Sequence, residues 1–208
     1  MHPKLLKKGI YAITPDQADS SLLFAQVEQA LQGGISLLQY RDKISAPAEM
    51  LARAKTLQSL CQQKNVPLII NDSAELSLAC KAAGVHLGQG DGSLKQARTL
   101  LGKQAIIGIT CHHQIELAVQ AQQAGADYVA FGRFFNSKTK PGKPLATLDL
   151  VHAAKAHLTL PIVAIGGLNE ANCPPLINQG IDYIALIEEV FSAVDIKEKC
   201  LSLNRLFN

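Results

Sequence analysis

The sequence has no apolar run approaching the roughly 18–20 residues a membrane span needs, and its Met1-His2-Pro3-Lys4 start carries no apolar signal segment. Both absences lead us to expect a cytoplasmic protein. Paired cysteines are lacking too: Cys61, Cys80, Cys111, Cys173 and Cys200 are odd in number, scattered, and form no C-x-x-C motif. That argues against a disulfide framework and a zinc site alike. No low-complexity block interrupts the chain. The formal charge of +3 is too small to imply a nucleic-acid partner. What remains is a chain of 208 residues, 48% hydrophobic and 18% charged, enough for one sizeable core and better suited to one domain than to two. The sequence leaves open whether that domain forms a homo-oligomer.

The apolar residues come in eight short runs: Ile10–Thr14, Ser36–Tyr40, Pro67–Ile70, Val85–Gly88, Ala105–Thr110, Tyr128–Phe131, Pro161–Ile165 and Tyr183–Ile187. Between them lie stretches rich in Ala, Leu, Gln and Lys, all good helix formers: Ser21–Gln32, Pro47–Lys64, Ser93–Leu101, Ile115–Ala124 and Leu148–His157; Ala74–Ala83 and Asn169–Gln179 are weaker in composition but long enough for a helix. Glycines at Gly33-Gly34, Gly84, Gly125 and Gly180 precede the next run, as expected for left-handed helix C-caps. Eightfold strand–helix alternation predicts an α/β fold, a (β/α)8 TIM barrel forming a single compact domain over residues 1–208. Residues 1–8 are expected to form a frayed lead-in. An open doubly wound sheet writes the same local pattern, but its Gly-x-Gly-x-x-Gly fingerprint is missing after the first run, where Thr14-Pro15-Asp16 stands.

In such a barrel, chemistry sits where strands end and βα loops begin. The second run ends in Gln39-Tyr40-Arg41-Asp42-Lys43. Side chains alternate along a strand, so Gln39, Arg41 and Lys43 share one side and Leu38, Tyr40 and Asp42 the other. Buried charge is expensive unless neutralised, and two cations with an amide on one face therefore point to an anionic, phosphorylated ligand. The third run ends in Asn71-Asp72, and the fourth leads through His86-Leu87-Gly88-Gln89-Gly90 to Asp91. Asp is a common helix N-cap. Two aspartates facing two cations suggest instead a hard-cation site, and magnesium takes one or two carboxylates together with waters and substrate phosphate oxygens. His86, inside an apolar run, reads as a satisfied core histidine, and His112-His113 as part of the approach to the fifth helix. Ser137-Lys138-Thr139-Lys140 interleaves hydroxyls with lysines, a pattern that suits phosphate oxygens. Gly166-Gly167 ahead of Asn169, read as an N-cap, offers bare amides to a phosphate. The eighth run ends in Glu188-Glu189, the wrong sign for that role.

These residues, in this order, resemble the thiamine-phosphate synthase family. The motifs that carry the likeness span nearly the whole chain: Tyr11-Ala12-Ile13-Thr14-Pro15, Gln39-Tyr40-Arg41-Asp42-Lys43, Ile69-Ile70-Asn71-Asp72, Gly84-Val85-His86-Leu87-Gly88-Gln89-Gly90-Asp91, Phe131-Gly132 with Ser137-Lys138-Thr139-Lys140, and Ala164-Ile165-Gly166-Gly167. The resemblance implies a transferase of thiamine biosynthesis. It would join 4-amino-2-methyl-5-hydroxymethylpyrimidine diphosphate to 4-methyl-5-(2-phosphoethyl)thiazole in its carboxylated form, releasing pyrophosphate and thiamine monophosphate. It further implies that Gln39, Tyr40, Arg41, Asp42, Lys43 and Asn71 bind the pyrimidine diphosphate, with Thr110 and Lys140 as further diphosphate contacts. Asp72 and Asp91 would hold Mg2+, and Ser137, Lys138, Thr139 and the Gly167 amide would hold the thiazole phosphate. The implied route is dissociative, with Arg41, Lys43, Lys140 and magnesium stabilising the departing pyrophosphate. The chain departs from the family pattern at Asp42, where Glu is usual, at Ser137, where Thr is common, and at Glu188, where Ser commonly contacts the thiazole phosphate. A thiazole tautomerase of the same barrel family, with His112 or His113 as base, and a non-catalytic thiamine-phosphate binder are the alternatives.

Overall fold

The computed structural model describes His2, Leu5, residues 7–136 and residues 146–207. Eight parallel strands, β1 (Gly9–Ile13), β2 (Leu37–Tyr40), β3 (Leu68–Asn71), β4 (Gly84–Leu87), β5 (Ile106–His112), β6 (Tyr128–Gly132), β7 (Ile162–Ile165) and β8 (Tyr183–Leu186), close into a barrel in sequence order. The last closes on the first through pairs such as Tyr11 with Ala185. Around them run α1 (Ser20–Gln32), α2 (Pro47–Gln63), α3 (Ala74–Cys80), α4 (Leu94–Leu101), α5 (Ile115–Gln123), α6 (Leu148–His157) and the short α7 (Pro174–Asn178), followed after β8 by α8 (Glu188–Phe191) and α9 (Ile196–Asn204). The chain is thus the single (β/α)8 domain that the alternation predicts.

Strand periodicity divides the core in two. Ile10, Ala12, Leu38, Ile70, Val85, Ile107, Val129 and Ile184 face outward and pack against the helices. Tyr11, Ile13, Leu37, Ile69, Ile106, Tyr128, Val163 and Tyr183 fill the barrel itself. Each fully buried aliphatic side chain contributes about 1.5–3 kcal/mol relative to exposure. Apart from β4, which turns Gly84 and His86 inward, each strand presents apolar residues to both faces, which explains why the runs read as continuous rather than alternating.

Helix starts follow local chemistry. Asp19 accepts from the Ser21 and Leu22 amides at 2.8 and 3.2 Å, and Ser93 with Gln96 forms a reciprocal capping box at the start of α4. At the bottom of the barrel one device occurs twice, in Gly125-Ala126-Asp127-Tyr128 and Gly180-Ile181-Asp182-Tyr183. Asp127 accepts from the Ile107 amide at 2.8 Å and pairs with Arg98, while Asp182 accepts from the Ile162 amide at 2.9 Å and pairs with Lys155 and Lys8. Each carboxylate ties the foot of its own strand to that of another strand.

Three local expectations are corrected. Gly84 is no cap: it lies inside β4, where a Cβ would collide with the Ile106 carbonyl, and Lys81 adopts the left-handed cap at φ 57°. The seventh helix starts at Pro174 rather than Asn169, because Asn169 folds back on the Ala171 and Asn172 amides, each at 3.0 Å, in a turn. The lead-in is packed at His2 and Leu5, while Lys7 and Lys8 are exposed. Leu5 is buried beneath the barrel, its carbonyl accepting from the Tyr183 hydroxyl at 2.7 Å.

Candidate active site

The C-terminal ends of the strands open into a cavity of about 870 Å3, the size of a pocket for a small organic ligand. Inward-facing apolar residues, Ile13, Ala130, Val163, Ile165 and Ala185, line it together with polar groups from the strand ends and the loops that follow them.

The alternation along β2 decides which residues reach the cavity. Gln39, Arg41 and Lys43 line it. Thr14, fully buried, donates to the Arg41 carbonyl at 3.0 Å and accepts from the Arg41 amide at 2.9 Å, fixing the strand end. Asp16 then accepts from the Arg41 guanidinium at 2.9 Å and from the Lys43 amide at 2.8 Å. Tyr40 and Asp42 face the other way and do not line the cavity. The Tyr40 hydroxyl donates to Asp42 at 2.7 Å, and Asp42 also accepts from the Ile44 and Ser45 amides and from Arg53 of α2 at 3.2 Å. Burial opposes the Asp42 charge, yet hydrogen bonds from Ser45, Tyr40 and Ile44 hold its pKa down at about 2.

Asn71 and Asp72 at the end of the neighbouring β3, and Asp91 beyond β4, line the cavity beside them. Neither aspartate caps a helix: Ser73 and Ser93 do that work. Asp72 sits at φ 64°, which turns its carboxylate toward Lys43 Nζ, 2.5 Å away. Asp91 accepts from the Gly88 amide at 2.9 Å. The two carboxylates also meet each other. Burial raises both; for Asp72 the hydrogen bonds to Lys43 and Asp91 outweigh it and lower its pKa, whereas for Asp91 the neighbouring Asp72 adds to it and raises its pKa. Two carboxylates at such range compete for one positive charge. Among the described residues no group of three or more His, Cys, Asp or Glu side chains is arranged to enclose a metal, so a cation here would complete its shell from water and ligand oxygens, as magnesium commonly does.

Thr110 lines the cavity from β5, and Gly167 from beyond β7. Ser137, Lys138, Thr139 and Lys140 lie outside the described residues. The cavity also contains residues that the sequence reading did not assign to binding: Tyr11, His86, Gln89, Arg133, Asn136 and the pair His112-His113. His86 is the satisfied histidine that its apolar run suggests, bonded to Tyr128 at 2.9 Å and Thr110 at 2.8 Å, but it is also part of the site wall. Glu188 reaches the cavity, and its carboxylate has no described hydrogen-bond or ion-pair partner. Cys111 lies behind the wall, fully buried, its thiol pushed by burial to about 12, and offers no nucleophile.

A (β/α)8 barrel whose strand ends bring together cations, an amide and paired carboxylates belongs to the barrels that handle phosphorylated small molecules. Comparison with known proteins narrows that class. The family described as thiamine monophosphate synthase matches residues 10–190. A thiamine-phosphate synthase from Marinobacter nauticus is 51% identical over 205 residues, 97% of this chain and 92% of that protein. Among solved structures, thiamine phosphate pyrophosphorylase from Pyrococcus furiosus shares 30% identity at a TM-score of 0.85, covering 98% of this chain and 96% of its own. The enzyme of that name from Bacteroides thetaiotaomicron superposes at 0.67 with 16% identity over 95% and 96%, a likeness of fold. The chain belongs to the thiamine monophosphate synthase family.

Proposed function

We propose that this enzyme, a transferase of thiamine biosynthesis, joins the aminopyrimidine diphosphate to the thiazole phosphate with release of pyrophosphate, forming thiamine monophosphate. Where the thiazole carries its carboxyl group, atom balance requires its loss as carbon dioxide. The relatives at high identity support the synthase over the tautomerase and the binder. The observation that carries the chemistry is the convergence of Arg41 and Lys43 with Asp72 and Asp91 at one side of the cavity mouth.

The pyrimidine ring sits against Gln39 over the apolar floor, and its diphosphate extends toward Arg41 and Lys43. As the carbon–oxygen bond to the diphosphate breaks, negative charge grows on the leaving group, and fixed cations stabilise that change more than they stabilise the bound substrate. Lys43 is already held at Asp72 and moves onto phosphate without long reorganisation. Arg41 is braced by Asp16. The carbocation left on the pyrimidine methylene is captured by the thiazole nitrogen, and the apolar wall keeps water from competing. Asp72 and Asp91 fit magnesium by donor type and number, and magnesium bound there supplies positive charge to the diphosphate oxygens. Lys140 and the 137–139 hydroxyls carry the same expectations as in the sequence. The proposed compartment is the cytoplasm, and five free, buried cysteines suit a reducing one. The test is pyrophosphate release on mixing both substrates, with and without a chelator. Metal-dependent release that needs both substrates is expected; release that a chelator leaves untouched would remove magnesium from the account.

A further inference from the structure

A chain of hydrogen bonds crosses the barrel directly beneath the cavity. Gln39 Nε2 donates to the Tyr11 hydroxyl at 2.8 Å, Tyr11 and Tyr128 hydroxyls meet at 2.8 Å, Tyr128 meets His86 Nδ1 at 2.9 Å, and His86 Nε2 meets Thr110 Oγ1 at 2.8 Å. The participants come from β2, β1, β6, β4 and β5, and Tyr11 and Tyr128 are 1% and 0% exposed. The Tyr128 ring fits because residue 108 is glycine: any Cβ there would overlap it. None of these links is needed to close the barrel, and buried polar chains are costly unless every member is satisfied.

The placement of Gln39 Nε2 against Tyr11 sets the direction of the chain. An amide nitrogen only donates, so the Tyr11 oxygen accepts from Gln39. The Tyr11 hydrogen then has the Tyr128 oxygen as its acceptor among the described residues, and the Tyr128 hydrogen has His86 Nδ1. That nitrogen must carry a lone pair, which puts the ring proton on Nε2, where it is donated to Thr110. Burial raises both phenol pKa values, so both hydroxyl hydrogens are in place. With its oxygen accepting from His86, Thr110 is left with its own hydroxyl hydrogen to offer the cavity. At the other end, with Nε2 anchored to Tyr11, the Gln39 carbonyl oxygen is held as an acceptor.

We infer that Tyr11, Tyr128 and His86 are positioning residues: a one-way relay that fixes the polarity of two cavity groups, presenting an acceptor at Gln39 and a donor at Thr110. This rests on the synthase reading in one respect, that the group spanning those two points is the pyrimidine diphosphate, with its ring at Gln39 and phosphate oxygens at Thr110. A reversed relay would present a hydroxyl lone pair to the phosphate. The relay therefore acts on one substrate and leaves the thiazole phosphate untouched.

Nitrogen-15 NMR of the histidine-labelled wild-type protein at neutral pH reads the relay without turnover. His86 with bare Nδ1 and protonated Nε2 is expected; protonated Nδ1 would overturn the proposal. Tyr128→Phe removes the central oxygen and keeps the ring. It is expected to raise KM for the pyrimidine diphosphate by about tenfold, the effect of one lost hydrogen bond and its unpaired neighbours, with KM for the thiazole phosphate unchanged. Tyr11→Phe, which frees the Gln39 amide, is expected to do the same. Unchanged kinetics in both variants, or equal increases in both KM values, would reduce the chain to a structural feature. A wild-type protein that releases no pyrophosphate would refute the synthase reading alone, since the NMR result stands apart from it.

Discussion

Arg53 is the buried cation on which the loops of the site depend, and replacing it by Met tests how far packing outside the cavity sets the geometry inside. Its side chain is 3% exposed. It donates to Ser20 Oγ at 3.0 Å, to the Gln17 and Ala18 carbonyls at 2.6 Å each, and to Asp42 at 3.2 Å, and it pairs with Glu49 at 2.6 Å. Met fills much of the same volume, so little cavity is created. The loss instead leaves the buried Asp42 carboxylate and two carbonyls without their cation, a change that costs about 3–5 kcal/mol. For a domain of this size each kcal/mol lowers Tm by about 2–4 °C, giving a drop of roughly 6–20 °C. The same guanidinium joins α2 to the loop after β1, which carries Asp16, and to the loop after β2, which carries Arg41 and Lys43. KM for the pyrimidine diphosphate is therefore expected to rise as stability falls. Thermal unfolding of Arg53→Met, Asp42→Asn and the double variant measures the coupling. A stability loss below about 1 kcal/mol, or additive effects in the double variant, would refute the reasoning.

Other expectations follow from the same geometry. Asp72→Asn keeps a residue that tolerates the left-handed backbone and removes the charge; turnover should fall by about two orders of magnitude or more while thermal unfolding changes little, and wild-type turnover with bound magnesium would remove Asp72 from the metal site. Glu188→Ser removes from the cavity a carboxylate that has no partner among the described residues and should tighten thiazole phosphate binding by about 1 kcal/mol, read by calorimetry; unchanged affinity would place that phosphate away from residue 188. Asp42 has a folded pKa of about 2 against the usual 3.8. It contributes stability that is present above pH 4 and lost as pH falls through about 2, on the order of 2 kcal/mol. Denaturant midpoints at pH 5 and near pH 2 should therefore converge for wild type and Asp42→Asn at the acid end; a gap that persists there would contradict the assignment.

The barrel is legible because strands buried on both faces write unbroken apolar runs, and eight such runs separated by helix formers leave few topologies. Arg41 and Lys43 are legible from alternation alone, which also puts Tyr40 and Asp42 outward. In the structure Gln39, Arg41 and Lys43 line the cavity and Tyr40 and Asp42 do not, as that rule requires. Capping is less legible. Asp72 and Asp91 look like caps until Ser73 and Ser93 are seen to take the role, and Asn169 looks like one until its turn delays the helix to Pro174. Gly84 looks like a helix end because the sequence does not show that Ile106 presses against it. Least legible is the relay of Tyr11, Tyr128 and His86. Its members are separated by 117 and 42 residues, each lies in an apolar run, and only barrel closure brings their polar ends together. The one available signal was polarity itself: a tyrosine or histidine inside an unbroken buried strand needs a partner, and three such residues on inward-facing positions predict one another.

The most direct measurement of the central claim is pyrophosphate release by the purified protein given the pyrimidine diphosphate, the thiazole phosphate and magnesium, repeated with each component omitted. The account predicts release only when all three are present, with thiamine monophosphate formed in equal amount. Release without the thiazole phosphate, or binding of both substrates with no release, would contradict it.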